Sequence, residues 1–250
     1  MNSSDLEIKS LSDFENLILG KFRQDSTYPP KIEDLYSLYI YVRKTRVVSI
    51  LEYGSGWSTY ALSLALFENH ITFSKRLTDN VRHPNPFQLM TVDSSEKFQK
   101  IALSRLDENL NSLVKPVIST SRMTLVNNQI CHIFDSLTPF TADLIYIDGP
   151  GCDQVLGDVN GFTVRFPLEN YKYGLPMLAD PILFENFLWP GTSIITDGRG
   201  ANAYFLKNNF KRNWIYSYDE TLDQHIFQLK DEPWGQISRS FLEFKNAHQI

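Results

Sequence analysis

Two kinds of apolar spacing divide the chain. Near the start, apolar residues recur every three or four positions. Leu11, Phe14, Leu17 and Ile18 mark a first helix, with Ser12 and Glu15 spaced as a capping box. Tyr28-Pro29-Pro30 breaks it. Ile32, Leu35, Leu38, Tyr39 and Val42 then mark a second helix, with Lys31, Glu33, Asp34 and Arg43 on its other face. From Val47 onward, short and nearly continuous apolar runs alternate with helical segments, the pattern of buried parallel strands in a doubly wound sheet. Strands are expected at residues 47–52, 89–93, 143–148 and 192–197. Helices are expected at 58–67, 96–110 and 181–188, the last with Asp180 as N-cap and Pro181 at its first position. Residues 123–134 read as a hairpin turning at Asn127-Asn128, and 214–218 and 225–229 as two final strands. The stretches 70–87 and 149–179 are longer than a compact domain needs for connection, and such loops often cover ligands.

These elements predict one α/β domain over residues 46–250, preceded by a helical extension at 1–45 that packs on the sheet as a lid. A chain of 250 residues with 42% hydrophobic content has room for one such domain and not for two catalytic ones.

Three of the four expected strands end on an aspartate where the chain leaves the sheet: Asp93, Asp148 and Asp197. The first ends on Glu52, followed at once by Tyr53-Gly54-Ser55-Gly56-Trp57-Ser58-Thr59. Ligands of open α/β sheets sit outside the carboxyl ends of the strands, so four carboxylates would surround one crevice. A glycine turn between strand and helix can also hold the pyrophosphate of a dinucleotide. Glu52, two residues before the first glycine, would repel a pyrophosphate, and Asp93 lies farther from the glycines than the roughly 20 residues of the dinucleotide fingerprint. The implied ligand carries positive charge, a ribose gripped by an acid, and no phosphate.

Charge and composition narrow the partners. With 24 Lys and Arg against 29 Asp and Glu, the net charge is -5, and no dense basic block is present, which disfavours nucleic acid. No apolar run approaches the ~20 residues of a membrane span, and the polar, acidic start lacks a secretory signal, so a cytoplasmic protein is expected. Two cysteines, Cys131 and Cys152, cannot form a disulfide framework.

The segments Ile50-Leu-Glu-Tyr-Gly-Ser-Gly-Trp-Ser58, Met90-Thr-Val-Asp93 and Ala142-Asp-Leu-Ile-Tyr-Ile-Asp-Gly149 resemble the class I S-adenosylmethionine-dependent methyltransferases. Ile145-Tyr-Ile-Asp-Gly-Pro150 and Ile195-Thr-Asp-Gly-Arg-Gly-Ala-Asn-Ala-Tyr-Phe-Leu206 are similar to methyltransferases of bacterial surface-polysaccharide clusters. The resemblance spans residues 47–229. It implies a Rossmann-like sheet of seven mostly parallel strands with the last antiparallel, and S-adenosylmethionine as cofactor. The implied reaction is methyl transfer to a small soluble acceptor, a hydroxyl of a sugar or sugar-nucleotide.

By that resemblance Gly54 and Gly56 let the backbone approach the methionine part of the cofactor, with Ser55 and Ser58 in the same turn and Glu52 near its ammonium. Asp93, beside Ser94, is matched to the acid that accepts both ribose hydroxyls, and Asp135-Ser136 to the neighbourhood of the adenine. Asp148 and Asp197 keep two readings. In catechol-type methyltransferases such acids hold a divalent cation, but Asp197-Gly198 departs from that family's Asp-Asn pair. The favoured reading is metal-free: Asp148 accepts a hydrogen bond from the acceptor or the cofactor's ammonium, and Asp197 orients Arg199. His225, first residue of the last strand, is a candidate base, against a structural role bonded to Asp223. Arg199 and Asn202 are placed to grip the acceptor, with Tyr171, Tyr173 and Phe166 of the long loop as apolar walls. Two rivals stand beside this reading: a nicotinamide-dependent sugar oxidoreductase, disfavoured by Glu52 and a missing third glycine, and a non-catalytic module that keeps the fold.

Overall fold

A computed structural model describes residues 8, 10–21, 29–136, 140–164 and 174–247. Helices α1 (Leu11–Lys21) and α2 (Ile32–Lys44) come first. The first half of the sheet is built by β1 (Ser49–Tyr53), α3 (Trp57–Asn80), β2 (Gln88–Asp93), α4 (Glu96–Leu103), α5 (Glu108–Leu113) and β3 (Val114–Ile118). A hairpin of β4 (Ser121–Val126) and β5 (Gln129–Phe134) leads to β6 (Leu144–Ile147) and the two-residue β7 (Val155–Leu156). The chain continues through α6 (Asp180–Leu183), β8 (Ser193–Asp197), α7 (Gly200–Asn209), β9 (Trp214–Asp219), β10 (Gln224–Leu229) and α8 (Gln236–Asn246).

Among the described residues seven strands form one sheet in the order β3-β2-β1-β6-β8-β10-β9, in which β10 runs antiparallel to both of its neighbours and the other pairs are parallel. This is the expected Rossmann-like arrangement. Strand order reverses between β1 and β6, so the two chains leaving those strands diverge and open a crevice at their carboxyl ends. Every residue of β1 and β6 is buried, which is why their sequences are nearly continuous apolar runs. One apolar layer joins Phe14, Leu38, Leu62, Phe241 and Phe244 from α1, α2, α3 and α8. The other joins Tyr53, Met90, Phe205 and Phe227 with the α6 and α7 side. The N-terminal helices therefore share a core with the sheet domain. Among the described residues no helix is long and apolar enough to cross a membrane.

Several elements differ from the sequence pattern. α1 is capped by Ser10, whose hydroxyl accepts from Asp13 N at 3.2 Å, and Ser12 lies inside the helix. α3 runs on to Asn80, so the first half of the expected loop at 70–87 is helical; only Leu77 is buried beyond Asn69, too little to leave a periodic signal. The helix expected at 96–110 is two helices, because the Asp107 carboxylate accepts from Leu110 N at 3.0 Å and starts a new one. Asp180 is inside α6 rather than capping it, and its buried carboxylate accepts from Phe134 N at 3.2 Å. β3 escaped notice because Pro116 interrupts it, which an edge strand tolerates. The hairpin turns at Asn127 and Asn128, with φ of 51° and 59°, yet it joins β7 in a separate three-stranded sheet.

Candidate active site

A cavity of about 490 Å³ opens at the carboxyl ends of β1, β2 and β6, within the ordinary size range of small-molecule sites. Its floor is the turn from Gly54 to Ser58 with Asp93, Tyr146 and Asp148. Phe98, Ile101 and Arg105 line it from α4 and the turn after it, and Pro29, Pro30, Lys31 and Asp34 from the start of α2.

Backbone contact sets this geometry. A Cβ on Gly54 would lie 2.7 Å from Gly149 N, and one on Gly149 would lie 2.4 Å from Gly54 Cα. The loops leaving β1 and β6 thus touch main chain to main chain, and Gly54 also needs its φ of +92°. This contact brings Asp148 beside the glycine turn. α3 starts immediately beyond, with Gly56, Trp57 and Ser58 all lining the cavity, so the positive end of a 24-residue helix faces the ligand space.

Glu52 lies beneath that helix end and is fully buried. Its oxygens accept from Ser58 Oγ at 2.6 Å and Thr59 Oγ1 at 2.7 Å. Burial pushes its carboxyl up to about 7, with the two hydroxyl bonds pulling the other way. Glu52, expected near a ligand ammonium directly or through water, is separated from the cavity by Ser58, which covers it and lines the cavity itself. Asp93 does line the cavity. Its two oxygens accept from Ser55 N and Ser95 N, each at 2.7 Å, which fixes the carboxylate plane and leaves further lone pairs. Burial raises its pKa and these amide bonds oppose the rise. Ser94 is outside the cavity lining; its hydroxyl donates to Gln154 Oε1 at 3.0 Å, tying the strand end to the loop after β6.

Asp148 is surrounded by protein but 53% of its side-chain surface still meets open space. Burial is the main cause that raises it to about 6; Arg199 opposes the rise and Asp197 adds to it. Arg199 is held by this same loop. Its Nη2 donates to the carbonyls of Asp148 at 2.6 Å and Pro150 at 2.9 Å, and its Nε lies 3.9 Å from Asp148 Oδ1. Arg199 is thus oriented by Asp148 and its loop, not by Asp197 as expected. Asp197 instead accepts from Tyr146 OH at 3.0 Å, and burial raises its pKa.

Other expected site residues lie elsewhere. Asn202 is buried and makes two bonds to the backbone of Leu178, at 3.2 and 3.1 Å, which anchor the segment before α6. Asp135 pairs with Arg122, Ser136 N donates to Ser119 Oγ at 3.1 Å, and neither residue lines the cavity. His225 Nδ1 bonds Tyr216 OH at 2.9 Å and its ring stacks on Tyr218 at 4.5 Å. The Asp223 carboxylate accepts from Tyr218 instead, at 2.9 Å, so the expected His225–Asp223 pair is not formed. Burial lowers the pKa of His225, and it too is absent from the cavity lining. Tyr171, Tyr173 and Phe166 fall outside the described residues.

The pattern missed Lys31, Asp34, Trp57, Phe98, Arg105 and Tyr146 as wall residues. Lys31 and Asp34 read as the polar face of an amphipathic helix, and Tyr146 as one more apolar residue between Ile145 and Ile147. The guanidinium of Arg105 lies 4.0 Å over the Trp57 ring, a contact between residues 48 positions apart that spacing could not announce. Among the described residues, no group of three or more His, Cys, Asp or Glu is arranged to hold a metal ion.

Sheet order defines a Rossmann-like fold, and the glycine turn lines its crevice together with Asp93 and Asp148. No family model matches the sequence, and no curated protein matches it. Among solved structures, the chain is similar to the SAM complex of the O-methyltransferase TomG from Streptomyces achromogenes, involved in tomaymycin synthesis. Identity is 14%, coverage 90% of this chain and 92% of that chain, and the TM-score 0.44. An O-methyltransferase from Bacillus cereus in complex with SAH gives 17% identity, coverage of 91% and 94%, and a TM-score of 0.45. The SAH-bound methyltransferase PaMTH1 from Podospora anserina gives 14%, 88% and 88%, and 0.47. At these identities nothing about substrate passes from them to this protein.

Proposed function

We propose that the cavity takes S-adenosylmethionine and that the chain transfers its methyl group to a small acceptor. The observation that carries this reading is the union, in one cavity, of a glycine turn and helix N-terminus with the carboxylates of Asp93 and Asp148. A helix N-terminus favours a carboxylate, and the two acids favour an ammonium and donating hydroxyls. A zwitterion with a ribose meets both demands. A pyrophosphate would sit against both acids.

When bound, this group supplies a methyl on a sulfonium, so the protein's work is alignment and exclusion of water, and alignment alone can be worth ~7 to 11 kcal/mol. Asp93 holds donating hydroxyls in place. Arg199 fixes the loop that carries Asp148, and the start of α2 covers the cavity. Asp148 is the group poised to accept a hydrogen bond from the acceptor or from the ligand's ammonium. A sugar or sugar-nucleotide hydroxyl as acceptor is supported by the sequence resemblance alone.

Calorimetric titration of the intact chain with S-adenosylmethionine, S-adenosylhomocysteine and NAD tests the reading. The first two are expected to bind and NAD is not. Asp93→Asn is expected to weaken S-adenosylhomocysteine by about tenfold or more, since bonds to a charged acceptor contribute ~1.5 to 3 kcal/mol each. Circular dichroism controls for the two amides that Asp93 also holds. Absence of binding by both adenosyl ligands, or an unchanged affinity in a folded Asp93→Asn variant, overturns it.

A further inference from the structure

Large exposed apolar side chains gather around β9. Ile215 and Tyr218 of the strand are 53% and 44% exposed, Tyr204 of α7 is 70% exposed, Phe187 is 78% and Trp234 is 56%. Contacts tie the segments that carry these residues to the strand and its start. Lys207, three residues beyond Tyr204 on α7, places its Nζ 4.3 Å over the Tyr216 ring. Glu185, two residues before Phe187, accepts from Trp214 Nε1 at 2.8 Å. Trp234 packs under the Arg212 guanidinium at 5.0 Å. Ile215 lies on the opposite face of the strand from Tyr216 and Tyr218, so exposed apolar side chains border this edge of the sheet on both faces.

The strand's own edge points the same way. β9 is the outermost strand on its side and pairs only with β10 among the described residues. The opposite edge strand, β3, is blunted by Lys115 and Pro116, the usual defences of a free edge. Trp214-Ile-Tyr-Ser-Tyr218 has neither. Charge flanks it asymmetrically, with the exposed Lys211 before it and Asp219 and Glu220 at its end. Such a segment is complementary to itself when reversed. An antiparallel pairing about an axis at Ile215 sets Ile215 against the same residue of a second copy and Trp214 against Tyr216. It also brings the Asp219 end of each strand towards the Lys211 end of the other, and each of these pairings is favourable across strands.

We propose that a second copy of this chain docks here, β9 against β9, giving a two-fold dimer with one sheet running through both copies. A two-fold axis is the geometry in which a self-complementary patch closes on itself.

Sedimentation equilibrium of the intact chain, from about 1 to 100 μM, the range of affinities expected of a modest interface, is the test. The expected mass at the upper end is twice that of the chain. Ile215→Lys sets two like charges against each other at the axis and is expected to raise the dissociation constant at least about tenfold. Ile118→Lys on β3, 47% exposed on the opposite edge, serves as control and leaves the dimer intact. Hydrogen exchange of the parent provides a readout that needs no variant: β9 amides are expected to exchange more slowly at the high concentration. A monomer throughout, a dimer indifferent to Ile215→Lys, equal sensitivity to Ile118→Lys, or β9 exchange independent of concentration overturns the proposal.

Discussion

At the scale of single residues, Glu52 is the acid whose burial has the clearest consequence. An ordinary glutamate loses its proton near pH ~4.3, whereas in the fold burial holds Glu52 up to about 7. Between those values the folded chain retains a proton that the unfolded chain has released, so stability falls as pH rises through this window and stays lower above it. At roughly 1.4 kcal/mol per pKa unit, the loss is on the order of 4 kcal/mol. Glu52→Gln removes the titration while an amide can still bond both hydroxyls. Urea denaturation of parent and variant at pH 5 and pH 8 is expected to shift in the variant's favour by roughly 2 to 3 kcal/mol at the higher pH. A difference that stays constant between the two pH values means that Glu52 titrates normally. The acid at this position was legible in the sequence, as was its place beside the glycine turn. That Ser58 and Thr59 of the next helix fold back over it was not, because those hydroxyls read equally well as exposed first-turn residues.

At the scale of elements, the contact between the loops after β1 and β6 is the joint that assembles the cavity. Gly149→Ala places a Cβ against backbone that cannot swing away, and is expected to lower stability by at least about 2 kcal/mol and to abolish S-adenosylhomocysteine binding. Gly157→Ala is the matched comparison: φ is +76° but nothing lies within 4 Å, so only the backbone strain of about 1 to 2 kcal/mol applies. Thermal melts of the two variants check the order, and a Gly149→Ala protein as stable as Gly157→Ala would show that the joint yields easily. Strand β6 was plain in the sequence because it is buried on both faces. The tail of α3 was not, since Leu77 is its only buried residue beyond Asn69, and neither was β3, an edge strand carrying a proline.

At the scale of the whole molecule, acids from three strands meet near one crevice, and what they do there depends on the donors they meet. Asp148 is paired with Arg199 and Asp197 with the Tyr146 hydroxyl, so each carboxylate already has a protein partner. On that arrangement the melting temperature is expected to be unchanged by EDTA and by millimolar Mg²⁺ or Mn²⁺. A cation-induced rise that Asp197→Asn removes would restore the metal reading of these two acids. The sequence by itself determined the central strands β1, β2, β6 and β8, because burial on two faces demands continuous apolar runs, and it determined the glycine turn and the acids at the strand ends, because each lies within a few residues of the apolar run that it follows. Only the tertiary structure decided which polar residues face the cavity. Asn202, Asp135 and His225 were turned to Leu178, Arg122 and Tyr216, while Lys31 and Asp34 at the start of α2 and Arg105 in the turn between α4 and α5 were carried to the cavity wall. The physical reason is that a polar side chain takes whichever partner the packing of separate elements brings within about 3 Å, a distance that spacing along the chain does not encode.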